Sequence, residues 1–253
     1  MKIRLAQGPD EIRVAQRLRH DVFMAERGAT HCSNAIDADR YDDTCAHLLI
    51  IEPDEKGVSP YKLADGGLVA TSRLIGQKEA EALGGFYSSG EFDLTDLLKT
   101  KSNLKFLELG RTCILKHARG TAVMELLWQG IWNFVRAEGY DVMIGCASFD
   151  GTDIFRHADA LRLLAKHAHA PDEWRVSPLP NLSVKLPQVP EVARDAKRVL
   201  LGLPPLIKGY LRLGCYISDG CVIDHAFNTT DVLIILPVKA INPRYFTRFG
   251  QPV

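Results

Sequence analysis

The stretch from Lys105 to Ser148 constrains the fold more than any other part of the chain. Lys105 to Leu115 reads as a strand. Thr121 to Glu138 carries Val123, Leu127, Ile131 and Phe134 at the spacing of one helix face, and Asp141 to Ser148 reads as a buried strand. Strand, helix and strand in close succession predict a parallel crossover, because a parallel pair needs a connection long enough to return over the sheet. The chain is therefore read as an α/β protein whose sheet is covered by helices.

The flanking sequence adds to this centre. A short strand at Lys2 to Ala6 precedes a helix opening at Asp10, read as its cap, with Ile12, Ala15, Leu18, Val22 and Phe23 on one side. Gly28 to Asp43 has no period and is rich in Asp, Asn, Ser and Gly. It is read as a long loop, which in a compact domain is more often functional than idle. Strand-like runs at His47 to Ile51 and Gly67 to Ile75 suggest antiparallel neighbours, and a polar stretch follows through Asp96. After Phe149 come a helix at about Thr152 to Ala168 and a proline-rich passage from Pro171 to Pro190. Two basic amphipathic segments then span Glu191 to Leu213, and two strands, Cys221 to Phe227 and Val232 to Val238, follow. With no internal repeat, the chain is read as one domain, 1–253, with an extension from about residue 171.

Charge and cysteine usage narrow the function. The 31 basic residues balance the 31 acidic ones, so no global field draws the protein to nucleic acid or membrane, and any such attraction must be local. The six cysteines form no CxxC pair and the N-terminus lacks an apolar stretch of signal-peptide length, which points to reduced thiols in a cytoplasm. The apolar runs fall far short of the roughly 20 residues of a membrane span, so membrane contact would be peripheral. No metal is expected: His167 and His169 have no third ligand, and Asp37 to Asp43 lacks the spacing and glycine of a calcium loop. Cys113 and Cys146 lie in apolar strands, where a buried thiol is the default.

Four motifs occur in a recognisable order: LRHDVFMAE at Leu18 to Glu26, DADRYDD at Asp37 to Asp43, ATSRLI at Ala70 to Ile75 and LELGRTCI at Leu107 to Ile114. The pattern resembles the acyl-homoserine-lactone synthases and, more closely, the ornithine-lipid N-acyltransferases. The closer likeness continues through FYSSGEFDL, LLWQGIWNF, GCASFDGTD, LPPLIKGYLRLG and RYFTRF, and so covers nearly the whole chain. The tryptophan usual in the Gly28 to Asp43 loop of the lactone synthases is absent here. The resemblance implies an α+β, GNAT-like fold: a mixed central sheet flanked by helices, with a C-terminal helix and strand extension. It also implies that an acyl carrier protein delivers a 3-hydroxyacyl chain, as a phosphopantetheine thioester, to the α-amine of ornithine, with no other cofactor. Residues shared by the two groups map onto Arg19, Phe23, Asp39, Asp42, Arg73, Glu108 and Arg111.

Aminolysis of a thioester needs an uncharged amine, a stabilised oxyanion and aligned reactants. Glu108 is the candidate base, and Arg111 its partner or a grip on the acceptor carboxylate. Arg19 and Arg73 are further carboxylate candidates, since a guanidinium can hold a carboxylate with two parallel bonds. Asp37, Asp39 and Asp42 either hold the distal ammonium of the acceptor or belong to a solvated acidic loop; Phe23 and Ser148 complete the acceptor candidates. By resemblance the pantetheine arm lies between Lys105 to Leu115 and Asp141 to Ser148, with Leu109, Thr112, Lys116, Arg119, Gly120 and Thr121 on the donor side. Gly120 and Thr121 open a helix whose N-terminus favours a phosphate. Lys116, His117 and Arg119 either meet an acidic carrier protein or form a solvated basic turn.

Residues three apart on a strand face opposite ways, so Glu108 and Arg111 share a face only if the strand carries an extra residue. Gly110 marks the expected bulge. Rival readings are the same chemistry on glycine, lysine or a homoserine-type acceptor, and a non-catalytic lipid-binding or haemolysin-like protein. Retention of Arg73, Glu108 and Arg111 counts against the last.

Overall fold

In the computed structural model, eleven consecutive residues, Gly66–Gly76, are buried, the pattern of a strand covered on both faces of its sheet. The structure describes residues 1–26, 35–53, 58–185, 196–242 and 245. In chain order these form β1 (Lys2–Leu5), α1 (Pro9–His20), β2 (Ala46–Glu52), β3 (Lys62–Leu63), β4 (Gly66–Gly76), α2 (Gln77–Ala82), α3 (Thr95–Thr100), β5 (Phe106–Ile114) and α4 (Thr121–Glu138). Then follow β6 (Val142–Asp150), α5 (Ile154–His167), β7 (Ser183–Val184), α6 (Ala196–Gly202), α7 (Pro205–Leu213), β8 (Tyr216–Ile217), β9 (Cys221–Asp224) and β10 (Thr229–Pro237). These elements fall into two compact units, residues 1–86 with 107–139 and residues 87–106 with 140–252.

In the first unit, β1 pairs with β2, β2 with β4 and β4 with β5, all antiparallel, as expected for the β2–β4 neighbours. Helix α4 buries Val123, Leu127, Ile131 and Val135, a strict four-residue repeat, and Trp132 beside it. Phe134, expected on that face, is only half-buried. The helix comes close to the sheet at Gly130, where an added Cβ would lie 2.7 Å from Leu48 Cδ2 and 2.8 Å from Ile3 Cγ2. It stops at Gly139, whose φ of 68° is the left-handed conformation that glycine supplies cheaply.

The first helix departs from expectation at both ends. Gly8 is its N-cap and Pro9 its first residue, and no side chain caps it, so Asp10 lies in the first turn instead. Its last turn passes into a single π turn, Asp21–Ala25, which carries Val22 and Phe23 into the core.

In the second unit the strand order is β6–β10–β9–β7, with β8 also on β10. The β10 run TTDVLIILP is buried along its length and pairs with β6 over nine residues. Helix α5 begins at Asp153, whose side chain accepts from Phe155 N at 3.0 Å. Among the described residues no helix is long and apolar enough to cross a membrane. The earlier part of the loop from Gly28, through residue 34, and positions 191–195 of the basic segments lie outside the described residues.

Candidate active site

Helix α1 places Ala15, Leu18 and Arg19 on one buried face, three and four residues apart, so a guanidinium enters the core beside a leucine. Arg19 is 0 % exposed. A buried charge survives only if it is paired and hydrogen-bonded, and Arg19 is both. Its Nη1 and Nη2 donate to the two carboxylate oxygens of Asp42 at 2.7 and 3.0 Å, and its Nε donates to Asp37 Oδ2 at 2.9 Å. A further bond runs from Nη2 to the carbonyl of Asp37. Burial opposes the charge on Arg19, but Asp42 and Asp37 more than offset it and raise its pKa.

Two more arginines reach the same loop. Arg73 on β4 donates from Nη1 to Asp39 Oδ1 at 2.6 Å. Arg111 on β5 donates from Nε to Asp37 Oδ2 at 3.1 Å and from Nη2 to Asp39 Oδ2 at 3.2 Å. Asp39 thus bridges Arg73 and Arg111, and at 18 % it is the most accessible of the three carboxylates. The loop is also braced from within: Asp39 N donates to Asp42 Oδ2 and Tyr41 N to Asp39 Oδ1, each at 2.8 Å. Tyr41 lies under the Arg73 guanidinium, 5.5 Å from ring centre to Cζ.

His47 on β2, directly opposite Arg73, fastens the end of this loop. Its Nε2 lies 2.9 Å from the carbonyl of Asp42, which requires the N–H at that nitrogen. Burial pushes the His47 pKa down, and the nearby Arg19 and Arg73 charges act in the same direction. Sequence reading did not single out His47; its place opposite Arg73 is a matter of register, which the motifs do not encode.

The expected bulge is present, one residue beyond Gly110. Thr71 faces Cys113 and Arg73 faces Gly110, so Arg111 and Thr112 together oppose Ser72. Arg111 takes the left-handed conformation, φ 50°, and Thr112 Oγ1 lies 2.7 Å from Ser72 Oγ. Glu108 is opposite Ile75 and so shares a sheet face with Arg73. Because Arg73 and Arg111 meet the same carboxylate, the bulge turns Arg111 to the face of Glu108. Glu108 itself is 3 % exposed.

Of the residues expected at the acceptor site, Arg19, Asp37, Asp39, Asp42, Arg73, Glu108 and Arg111 therefore belong to the first unit. Six of them form one ion-pair network and the seventh, Glu108, lies on the Arg73 face. The arginines and aspartates, separately assigned by sequence to the two ends of a ligand, pair with each other. Phe23 is buried in the π turn. Ser148, on β6 of the second unit, faces Asp231 on β10.

On the donor side, Leu109 is buried in β5 and Thr112 sits in the bulge. Lys116 lies in an exposed turn. Arg119 donates to Glu26 Oε2 at 2.5 Å and to the Ile114 carbonyl at 3.1 Å. Gly120 is the N-cap of α4 with φ 175°, ordinary extended backbone, so its value is not conformational freedom. The first turn of α4, from Thr121, has neither a side-chain cap nor an acidic residue, which leaves its N–H groups and dipole available to an anion.

In the second unit, Glu91, Asp224 and Asp231 each bring a carboxylate oxygen within 4.8 Å of the others, and Cys146 Sγ donates to Glu91 Oε2 at 3.3 Å. Such a group repels itself and favours a cation. Sequence reading missed it because its members are scattered along the chain. The thiols of Cys45 and Cys215 are pushed up to about 12 and that of Cys221 to about 11, chiefly by burial, so these three are unreactive at neutral pH. His169 pairs with Asp219 at 3.1 Å.

Residues 18–129 match the acetyltransferase (GNAT) domain, the span that carries the whole ion-pair network and the start of α4. An N-acyl amino acid synthase from uncultured soil microbes has a similar structure, with a TM-score of 0.51 at 10 % identity, covering 94 % of this chain and 91 % of that one. That likeness concerns the fold. Two relatives are similar along nearly the full length. The L-ornithine N(alpha)-acyltransferase of Agrobacterium fabrum (strain C58) is 41 % identical over 99 % of this chain and 85 % of its own. That of Rhizobium meliloti (strain 1021) is 42 % identical over 99 % and 84 %. A GNAT fold with this degree and span of identity places the sequence: the chain belongs to the family of L-ornithine N(alpha)-acyltransferases.

Proposed function

We propose that this protein transfers a 3-hydroxyacyl group from the phosphopantetheine thioester of an acyl carrier protein to the α-amine of L-ornithine, the first step towards an ornithine lipid. The observation that carries this reading is the identity of more than two-fifths with L-ornithine N(alpha)-acyltransferases over 99 % of the chain. The geometry supplies parts suited to the chemistry. The amine nitrogen attacks the thioester carbon, the oxyanion collapses, and the C–S bond breaks as the remaining surplus proton on nitrogen passes to the departing sulfur, which leaves as the carrier thiol. Glu108 takes the ammonium proton, directly or through a water. Arg73 and Arg111 receive the acceptor carboxylate beside Asp39, and Arg19, Asp37 and Asp42 hold those groups in place from beneath. Asp39, the accessible aspartate, faces the second ammonium of the acceptor, and Phe23 is a further contact.

On the donor side, the N-terminus of α4 at Gly120 and Thr121, with Lys116 and Arg119, takes the phosphate of the pantetheine arm. Leu109 and Thr112 lie along that arm, and the basic turn meets the acidic carrier. No cofactor beyond the thioester is invoked, and nucleic acid plays no part. The protein works in the cytoplasm, in peripheral contact with the inner membrane that receives its product.

Asp39→Asn tests the acceptor assignment, because it keeps shape and removes charge. A charge-assisted bond is worth about 1.5–3 kcal/mol, so KM for ornithine should rise about tenfold or more while glycine, which has no second ammonium, loses less. Equal loss for both acceptors in steady-state assays would sink the pairing of Asp39 with the distal ammonium.

A further inference from the structure

We infer, resting on the acceptor site proposed above, that His47 is a positioning residue for acceptor selectivity. By holding the Asp42 carbonyl it fixes Asp39 where that carboxylate meets the distal ammonium of the acceptor.

The backbone of Asp39 is tied to Asp42 twice. Asp39 N donates to Asp42 Oδ2 at 2.8 Å, and Asp42 N donates to the Asp39 carbonyl at 3.1 Å. Where Asp42 sits therefore decides where Asp39 sits. Asp42 in turn is gripped at both ends. Its carboxylate is held by the Arg19 fork, and its carbonyl lies 2.9 Å from His47 Nε2, which donates to it. The two holds act on different parts of the residue. The Arg19 fork fixes a side chain that can turn about its own χ angles, whereas the His47 bond fixes the main chain of the turn that carries Asp39.

His47 is well placed for this. It is the second residue of β2, and β2 is paired on both edges, with β1 and with β4, so the bond ties the loop to the interior of a sheet. The same register sets His47 opposite Arg73, whose Nη1 donates to Asp39 Oδ1 at 2.6 Å. One rung of the ladder thus supplies both the donor to the Asp42 main chain and a donor to the Asp39 side chain.

The other ring nitrogen marks the histidine as more than core filling. His47 is 2 % exposed, and its Nδ1 is buried with no hydrogen-bond partner among the described residues. A buried acceptor without a donor costs stability. An apolar side chain of similar volume would avoid that cost and fill the same space, but the Asp42 carbonyl, on a residue 1 % exposed, would lose this donor. Burial and the charges of Arg19 and Arg73 keep the ring neutral, which leaves its N–H at Nε2, towards Asp42. The imidazole therefore carries one directed bond at the expense of packing.

Steady-state assays at saturating acyl donor test this on the full chain, with L-ornithine as acceptor and L-norvaline, which is ornithine without its distal ammonium, as competitor. His47→Leu should raise KM for ornithine about three- to tenfold, the range for one lost hydrogen bond, and change kcat and the norvaline inhibition constant by less than about twofold. His47→Gln carries an amide N–H the same number of bonds from Cα, and should return KM to within about twofold of the unaltered protein. In an Asp39→Asn background, His47→Leu should add less than about twofold more, because its effect passes through Asp39. If the leucine variant does not fold, His47→Asn replaces it: its amide stops one bond short, and the same split is expected. Equal weakening of ornithine and norvaline, a fall in kcat at unchanged KM, or full additivity with Asp39→Asn would each overturn the inference and leave the ornithine reaction standing. So would a glutamine variant no better than leucine. If Asp39→Asn itself weakens ornithine and norvaline alike, the acceptor reading fails and takes the role of His47 with it. If the chain acylates no ornithine, the proposed reaction and the inference both fall.

Discussion

Arg19→Ala is expected to lower the free energy of unfolding by about 3–5 kcal/mol, a large share of the stability of a typical domain. Removing the guanidinium leaves Asp37 and Asp42 buried, with Asp42 losing its two charged donors and keeping the bond from Asp39 N. Urea denaturation measures the loss, and a change below about 1 kcal/mol would mean that the pairing adds little. Acid gives a second reading of the same contact. Burial works to raise the Asp42 pKa, but its bonds with Arg19 and the charges of Arg19 and Arg73 hold it at about 2, against 3.8 when unperturbed. A depressed carboxylate pKa stabilises the folded state above the unfolded value. That contribution, about 2 kcal/mol, is lost as pH falls from near 4 through about 2. Most of it should be missing in Arg19→Ala. His47 acts with the same sign at higher pH: its pKa is lowered by burial, so stability present above 6.5 declines as pH falls below it.

Glu108→Gln should lower kcat by about 10²–10⁴, the range for loss of a positioned general base, and should displace the acidic limb of the pH profile. KM for the acyl donor should change little. Glutamine fills the same volume beside Arg73, so the variant is expected to fold, and circular dichroism checks this. A folded variant with unchanged turnover and pH profile would make Glu108 a structural residue and leave the proposed mechanism without its base.

The alternation and length of the apolar runs located β2, β4 and β5 to within a residue at each end, while β10 begins at Thr229, three residues before the apolar run that marked it. The β5 bulge was legible as a need, since Glu108 and Arg111 could share a face in no other way. Its position was not: glycine is the usual occupant of a left-handed position, yet Arg111 takes it, anchored by Asp37 and Asp39. The mutual pairing of arginines and aspartates was also hidden. Arg111 and Asp37 are 74 residues apart, and a charge motif states that a partner is needed without saying whether it is a ligand or the chain itself. The same holds for Glu91, Asp224 and Asp231. The last strand pair illustrates a smaller miss: β9 ends at Asp224, three residues early, because its carboxylate accepts from Ala226 N and Phe227 N and starts a turn.

Mass spectrometry of lipids extracted from a host that makes no ornithine lipid of its own, expressing this chain, tests the acyl transfer to ornithine most directly. A new lyso-ornithine species is expected, with a 3-hydroxyacyl group in amide linkage on the α-nitrogen, and it should be strongly reduced when Glu108→Gln is expressed instead. Accumulation of an N-acyl glycine or N-acyl lysine, or no new lipid from a folded and abundant protein, would contradict it.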